Sequence, residues 1–176
     1  MNTAPIDDEI YDLHFYLRRS VRYHMRRAAF FMKWQRFTSF IGVVFGSAAV
    51  ATFISKSPSE VAIAFALAIT VASAFDLVVG TGQHAWLHND LRKRFLELEG
   101  VLVSTPTSNE LVADIKHRIR RIEADEPPSR ELLNLMARND IIRADFPAED
   151  ASKAVCNIGW LKRATANLVD WDTEKY

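Results

Sequence analysis

The stretches FTSFIGVVFGSAAVATFIS (residues 37–55) and VAIAFALAITVASAFDLVVGTG (residues 61–82) decide the fold of this chain. The first contains no charged residue and the second contains one, Asp76. Because a helix rises about 1.5 Å per residue, each stretch is long enough for the roughly 30 Å hydrocarbon core of a bilayer. A soluble helix normally has a polar face, and the first stretch has none. The pattern predicts two transmembrane helices; the alternative is a hairpin buried inside a soluble helical bundle.

The link between the two stretches is too short for anything but a turn. It contains Pro58, which suits the start of a second helix, and helices joined so closely must run antiparallel and adjacent. The link carries only Lys56, with Glu60 beside it, whereas both flanks are basic. The basic residues of the flanks are Arg18, Arg19, Arg22, Arg26, Arg27, Lys33, Arg36, Arg92, Lys93 and Arg94. The positive-inside rule then predicts a multi-pass protein with both termini in the cytoplasm.

Small residues recur on one face of the first predicted span. Gly42, Gly46 and Ala49 lie at helical spacing, and the two glycines form a small-xxx-small pair. Membrane helices associate through such faces because small side chains let two backbones approach closely. These three residues are therefore candidates for helix packing.

Asp76 belongs to a polar stripe on the second predicted span. On a helical wheel at about 100° per residue, Ala66 lies on one arc with five candidate pore-lining or gating residues, namely Thr70, Ser73, Asp76, Gly80 and His84. A carboxylate at membrane depth rarely faces lipid. In one interpretation, stripes from several subunits line a pore and Asp76 forms an acidic ring. In the other, Asp76 lies near the inner interface and is hydrated or capped there.

The remaining sequence predicts helices throughout, so the fold class is all-α. Residues 1–36 form a juxtamembrane helix, residues 37–82 the transmembrane hairpin and residues 83–176 a cytoplasmic helical bundle. Basic and aromatic residues alternate in the first segment, which suits anionic lipid or nucleic acid. The chain has 22 basic and 22 acidic residues, and this balance together with the adjacent apolar run favours membrane lipid over nucleic acid.

Local signals predict where the cytoplasmic helices begin and end. Thr107 with Glu110 resembles a capping box, and Ser129 can cap the helix that follows two prolines. A last helix is expected over residues 148–168. The apolar stripes of these helices are narrow, which is typical of a small bundle.

No pattern in the chain predicts an enzyme, a cofactor site or a metal site. His84 and His88 are four residues apart on a helix, but the glutamate that follows the first histidine in metalloproteases is replaced by Ala85. Glu123 and Glu126 lie in a solvated charged stretch near a predicted helix end, and they are interpreted as a charged face or as a contact at that helix end rather than as paired catalytic acids. The single cysteine cannot form an internal disulfide.

Four elements together resemble the SLATT family, the two-transmembrane effector domains associated in bacteria with nucleotide synthetases and nucleotide sensors. They are RRSVRYHMRRAAFFMKW (residues 18–34), the two spans with their short turn, HAWLHNDLRKRFLELEGVL (residues 84–102) and RIEADEPPSRELLNLMARND (residues 121–140). The residues that match the pattern are His88, Ile122, Glu123, Glu126, Pro127, Pro128, Leu132 and Asn139. The resemblance covers most of the chain.

The resemblance implies an oligomeric, pore-forming effector of a bacterial conflict or anti-phage system at the inner membrane. A nucleotide second messenger or a signalling partner protein would trigger the effector, which would then disrupt the membrane. The chain contains no separate sensor domain, so a trigger would act on the cytoplasmic helices or through a partner. The alternative is a membrane-anchored protein-interaction module whose hairpin is only a tether.

Overall fold

The computed structural model describes residues 4–45, 47, 52, 54–56 and 58–173, and these residues form helices and no strands. The helices are α1 (Ala4–Phe45), α2 (Ser59–Val79), α3 (Thr81–Ser104), α4 (Asn109–Glu123), α5 (Glu131–Asp145), α6 (Ala148–Ala154) and α7 (Trp160–Thr165). The predicted all-α fold class is therefore confirmed.

Helix α1 is a single element where the sequence predicts two. It runs for 42 residues, about 63 Å at the usual helical rise, and passes without a break through the expected boundary at residue 36. No glycine or proline occurs between Ile6 and Ile41, so nothing in this stretch interrupts the backbone hydrogen bonds. Of the predicted packing residues on this helix, Gly42 is within α1, whereas Gly46 and Ala49 lie outside the described residues.

A glycine separates α2 from α3. Gly80 has φ +61° and ψ +48°, the left-handed conformation that ends many helices and that glycine adopts without steric cost. Its backbone N–H bonds to the carbonyl of Asp76 at 2.9 Å, which closes the last turn of α2. The prediction of one helical stripe from Ala66 to His84 is therefore wrong beyond Gly80, because His84 belongs to the next helix.

Helix α2 has no buried residue along its length. It has 21 residues, and its only acidic residues are Glu60 in the first turn and Asp76 near the end. Among the described residues it is the one helix that is long and apolar enough to cross a membrane. The other half of the predicted hairpin, residues 37–55, extends beyond the end of α1 into residues that are largely undescribed.

The chain divides into two compact units. The polar unit comprises Met1–Arg27 and His88–Tyr176, and the apolar unit comprises Ala28–Leu87. These limits differ from the expected domain boundaries at residues 36 and 82. Helices α1 and α3 each contribute residues to both units.

In the polar unit, buried residues follow one face of each long helix. The buried positions are Leu13, Leu17, Ser20 and His24 on α1, His88, Leu91, Phe95, Leu98 and Leu102 on α3, and Leu111, Ile115, Ile119 and Ile122 on α4. The alternating spacing of three and four residues on α1 and α3 is the helical period that buries one stripe. A second cluster joins Tyr23 to Leu132, Leu133, Met136 and Ala137 on α5, and to Ile158 and Ala166.

Three of the predicted helix ends differ in the structure. Ser108, and not Thr107, is the N-cap of α4, and its hydroxyl accepts a hydrogen bond from Leu111 N at 3.1 Å. The N-cap of α5 is Arg130, and not Ser129. The helix expected over residues 148–168 is interrupted, because α6 ends at Ala154 and α7 begins at Trp160.

The side chain of Asn139 holds the backbone of the segment between α6 and α7. Its amide Nδ2 donates to the carbonyl of Cys156 at 2.8 Å, and its Oδ1 accepts from the backbone N–H of Cys156 at 3.1 Å. Asn139 is 3% exposed and belongs to α5. A buried side chain thus replaces the helical hydrogen bonds that the backbone at Cys156 does not make.

In the apolar unit, aromatic rings bring α1 close to α2 and α3. The Phe31 ring stacks on His84 with centroids 5.0 Å apart, and the Trp34 ring lies 5.0 Å from that of Phe75. A Cβ placed on Gly82 would lie 3.0 Å from the side-chain nitrogen of Gln35, so the helices approach closely there. A Cβ on Gly42 would meet no described atom within 4 Å.

Candidate functional site

The centre of the polar unit contains two histidines in direct contact. His24 on α1 and His88 on α3 are each 1% exposed, and their Nδ1 atoms are 3.0 Å apart. Each histidine lies on the buried stripe of its helix. His24 follows Ser20 by four residues on α1, and His88 precedes Leu91 by three residues on α3. The fold therefore places two polar rings where a leucine would be usual.

A carboxylate fixes the orientation of the first ring. His24 Nε2 lies 2.9 Å from Oε1 of Glu126, in the segment that follows α4 and precedes Pro127. Because an ionised carboxylate only accepts hydrogen bonds, we assign the proton to Nε2 of His24. The three side chains form a continuous hydrogen-bonded chain, from Glu126 through His24 to His88.

Aromatic rings enclose this chain. Phe95 stacks on His24 with centroids 5.6 Å apart and an interplanar angle of 12°. Tyr23 packs edge-on against both histidines, at 5.1 Å from His24 and 6.4 Å from His88. The Tyr23 hydroxyl accepts a hydrogen bond from the backbone N–H of Arg130 at 3.1 Å, which ties the segment after α4 to α1. These rings shield the histidine pair from water.

A tyrosine–carboxylate contact lies nearby, at Tyr16, eight residues before His24 on α1. The Tyr16 hydroxyl donates a hydrogen bond to Glu123. Burial, followed by this hydrogen bond, raises the pKa of Tyr16, so the phenol stays protonated and acts as a donor. The Arg19 guanidinium lies 5.2 Å above the Tyr16 ring in a cation–π contact.

These groups border a partly enclosed polar cavity of about 290 Å³. Its lining comprises Tyr16, Arg19, Ser20, Tyr23, His24, Glu123, Glu126, Ser129 and Asn134. Donors and acceptors both face the cavity, and the buried ring of His24 forms part of the wall. No group of three histidine, cysteine or acidic side chains in the described part of the chain could hold a metal ion.

Ion pairs attach α5 to α1 on either side of this site. Arg26 Nε bonds to Asp140 Oδ2 at 3.0 Å, and Arg18 forms a two-pronged contact with Asp145, with one N–O distance of 2.7 Å. The hydrogen bonds from Arg18 lower the pKa of Asp145, because they stabilise its ionised form. Arg27 donates to the carbonyl of Asn167 at 3.0 Å.

The structure brings together part of the family-like motif. His88, Glu123 and Glu126 all belong to the region of the histidine pair, and Pro127 and Pro128 follow directly. Asn139 lies apart from them and holds the backbone of Cys156. Glu126 follows the end of α4, and its carboxylate contacts the buried His24, which is the helix-end contact expected in one of its two interpretations.

The candidate pore-lining residues have different surroundings. The Thr70 hydroxyl donates to the carbonyl of Ala66 within its own helix, at 2.8 Å, and Ser73 is exposed. Asp76 accepts a hydrogen bond from the hydroxyl of Thr81, across the break at Gly80. His84 stacks on Phe31. The five residues therefore do not share one helix face.

Sequence reasoning missed His24 and Tyr16. His24 was available as a signal, because it lies four residues after Ser20 on the same stripe as Leu13 and Leu17. Nothing in the spacing of residues within α1 indicates that a glutamate more than 100 positions later will bind each of these side chains. Tyr16 with Glu123 and His24 with Glu126 are tertiary pairs.

We compared the chain with protein-family models, with curated proteins and with solved structures, and none of the three comparisons gave a match.

Proposed function

We propose that this chain is an oligomeric membrane effector whose apolar hairpin inserts in a bacterial inner membrane and whose polar unit remains in the cytoplasm. The observation that carries the proposal is the exposed apolar surface of α2. Leu77 and Val78 are 85% and 86% exposed, and Ile63 is 66% exposed. Soluble proteins rarely leave an apolar helix uncovered, so lipid or further copies of the chain must cover it.

The hairpin in this proposal has two spans, residues 37–55 and 61–82. The described part of the first span supports this, since Phe37, Phe40 and Val43 are exposed by 55%, 64% and 75%. The basic flanks support a cytoplasmic location for both termini. The polar unit then faces the compartment in which a nucleotide signal or a partner protein would reach it.

Pore formation requires several copies, because two helices cannot enclose an aqueous path. The resemblance to the SLATT family supports an effector of a conflict or anti-phage system rather than an enzyme. Gly42 supports contacts between copies, because a small exposed residue lets two helices approach closely. In this arrangement Asp76 lies near the cytoplasmic end of the second span and contributes negative charge at the mouth of the path.

A membrane-anchored interaction module is the second candidate. The bond from Thr81 to Asp76 favours it, because this carboxylate already has a partner at the turn between α2 and α3. A carboxylate that is satisfied at the membrane interface needs no aqueous path to solvate it. In this candidate the hairpin is only a tether, and the polar unit binds the partner.

The first experiment establishes membrane insertion and assembly. Membranes that contain the full chain are washed with alkaline carbonate. The native mass of the detergent-extracted protein is then measured and corrected for bound detergent. We expect the protein to stay in the pellet and to form an assembly of about four or more copies. Release by the wash would overturn both membrane candidates, and a monomer would favour the tether.

The second experiment separates a pore from a tether. The hairpin is replaced by a scrambled sequence of the same composition, and the membrane potential of expressing cells is followed with a dye. A pore loses depolarising activity after scrambling, whereas a tether keeps the activity of its polar unit.

Asp76→Asn tests whether the negative charge of Asp76 contributes to conduction. Asparagine keeps one oxygen that can accept from Thr81, removes the charge and replaces the second oxygen with an amide nitrogen of similar size. The variant should fold as the wild type does and should change the ion selectivity of liposomes that contain the protein. Equal selectivity in the two proteins would exclude Asp76 from the conduction path.

A further inference from the structure

A second cavity in the polar unit is lined by three arginines. Arg26 of α1, Arg143 of α5 and Arg163 of α7 border it, together with the segment between α6 and α7. Among the described residues of its lining, Asp140 is the one acid, and Arg26 Nε already bonds to that carboxylate at 3.0 Å. No acid of the lining therefore neutralises the charges of Arg143 and Arg163, in a chain whose net charge is zero.

The size and charge of this arginine-lined cavity suit a phosphoryl group. Its volume is about 30 Å³, which holds about two water-sized atoms at roughly 10–15 Å³ each. Two oxygens of a phosphoryl group can therefore enter, while the ester oxygen stays at the opening. A phosphate monoester carries about 1.5–2 negative charges at pH 7, which matches two uncompensated arginines, whereas a carboxylate carries one. Guanidinium groups also donate parallel N–H bonds to phosphate oxygens.

A wider pocket adjoins the arginine-lined cavity. The two share Arg143 and Asn157, and the wider pocket has a volume of about 560 Å³. Its remaining walls are small side chains, namely Ala148, Ala151, Ser152 and Val155. A bare inorganic ion would leave this space to water, whereas the organic part of a phosphate ester can fill it, since pockets of this size and character hold small organic molecules.

Contacts within the protein hold the walls of the cavity in place. Asn139, which is 3% exposed, bonds to both backbone groups of Cys156 in the segment between α6 and α7. The bond from Arg26 to Asp140 holds α5 against α1. A site that is formed before its ligand arrives binds more tightly, because less conformational freedom is lost on binding.

We propose that the arginine-lined cavity binds the phosphoryl group of a small phosphate ester, with the organic part in the wider pocket. Arg143 and Arg163 bind the phosphoryl oxygens, and Arg26 stays with Asp140. A soluble phosphorylated molecule and a phospholipid headgroup both present this group. The inference does not depend on the proposed function, because the cavity belongs to the polar unit alone and binding is measured directly.

Isothermal titration calorimetry of the full chain in a neutral detergent tests the proposal. The probes are inorganic phosphate, glycerol phosphate and, as the matched compound without a phosphoryl group, glycerol. We expect both phosphates to bind saturably at a single site per chain, the ester more tightly, and glycerol not to bind. No saturable binding of either phosphate, or an ester that binds no more tightly than the bare ion, would overturn the proposal.

Arg143→Gln and Arg163→Gln are the informative variants. Both side chains are exposed, so the fold should persist, and glutamine removes the charge. Each variant should bind glycerol phosphate at least about tenfold more weakly, the effect of losing a hydrogen bond to a charged group. The matched control is Arg120→Gln, an exposed position of α4 outside both pockets, which should bind as the wild type does. Equal weakening in all three would indicate non-specific attraction and contradict the proposal.

Cys156 gives a second readout on the wild type, which covers the case in which a variant does not fold. It lines the cavity and is the single cysteine of the sequence. Bound phosphate should slow alkylation of its thiol by iodoacetamide in proportion to the fraction of sites occupied, whereas chloride at the same ionic strength should not. Unchanged alkylation at saturating phosphate would show that the ion binds elsewhere, against the proposal.

Reconstitution in lipid distinguishes the two sources of the phosphoryl group. The full chain is placed in phosphatidylcholine that contains either phosphatidic acid or oleic acid, which is anionic and has no phosphate, and is titrated with glycerol phosphate. A lipid headgroup as the occupant predicts weaker binding beside phosphatidic acid, because the headgroup competes. A soluble occupant predicts equal binding in the two lipids. Either result supports the site and identifies its ligand, whereas no binding in either lipid would overturn the proposal.

Discussion

At the scale of single residues, a few buried polar side chains determine the arrangement of the polar unit. Glu126 and Asn139 each bind a group that is remote in sequence, His24 in one case and the Cys156 backbone in the other. Hydrogen bonds of this kind add modest net stability, but their loss leaves a buried partner unsatisfied. Substitutions at these positions should therefore lower the free energy of unfolding by more than the net contribution of the hydrogen bonds themselves.

Asn139→Ala should destabilise the polar unit by about 1–3 kcal/mol, because both backbone groups of Cys156 lose their partner. Thermal unfolding in detergent, followed by circular dichroism, measures the change. Asn157→Ala is the matched control, since Asn157 is exposed and only one residue from Cys156. A variant at position 139 as stable as the control would show that solvent satisfies these backbone groups.

At the scale of helices, the apolar runs were sufficient to predict α2, because a continuous apolar segment after a proline has few other solutions. The end of α2 was predicted less well. Gly80 appeared to be one more small residue in a helical stripe, whereas its left-handed conformation ends the helix. Helical periodicity applies only within one continuous helix, so it cannot reveal the residue at which the helix ends.

The candidate site was less predictable than the helices. His88 and Glu126 were singled out by the family resemblance and by their spacing from His84 and Glu123, but their contacts were not predicted. His24, Tyr16 and the role of Asn139 depend on how distant helices pack, and a hydrogen bond between residues 102 positions apart leaves no local pattern. The missed break between α6 and α7 has the same cause, since the bonds from Asn139 hold that segment.

Gly80→Ala tests the importance of this break. An alanine in the left-handed region costs about 1–2 kcal/mol, so the variant should be destabilised or should straighten α2 into α3. Gly100→Ala, inside α3, is the control, because its Cβ meets no described atom within 4 Å and alanine favours helices by up to about 1 kcal/mol. Unfolding temperatures in detergent should therefore shift in opposite directions.

At the scale of the whole molecule, the chain separates its apolar and polar surfaces into two units. The apolar unit exposes large side chains on α2, whereas the polar unit buries leucines and isoleucines and is crossed by ion pairs. A zero net charge conceals this separation, since averages over the chain resemble those of a soluble protein. The units should consequently differ in their access to lipid.

Tryptophan fluorescence can test this difference. Trp86 in the apolar unit and Trp160 in the polar unit are both strongly exposed, at 70% and 80%. Two variants are compared, one with Trp86 and one with Trp160 as its sole tryptophan. Brominated lipids should quench the fluorescence of Trp86 and leave that of Trp160 nearly unchanged, because bromine quenches only nearby indoles. Equal quenching of the two would contradict the proposed arrangement.

Asn139 also has a consequence for chemistry at the neighbouring side chain. It holds the main chain of Cys156, the single cysteine of the sequence, which is half-buried in the polar unit. A reagent that reacts with thiols therefore has a single target, with no need to remove other cysteines. If both termini are cytoplasmic, a membrane-impermeant maleimide should label inverted vesicles and spare intact cells, so that the native sequence carries its own reporter of sidedness.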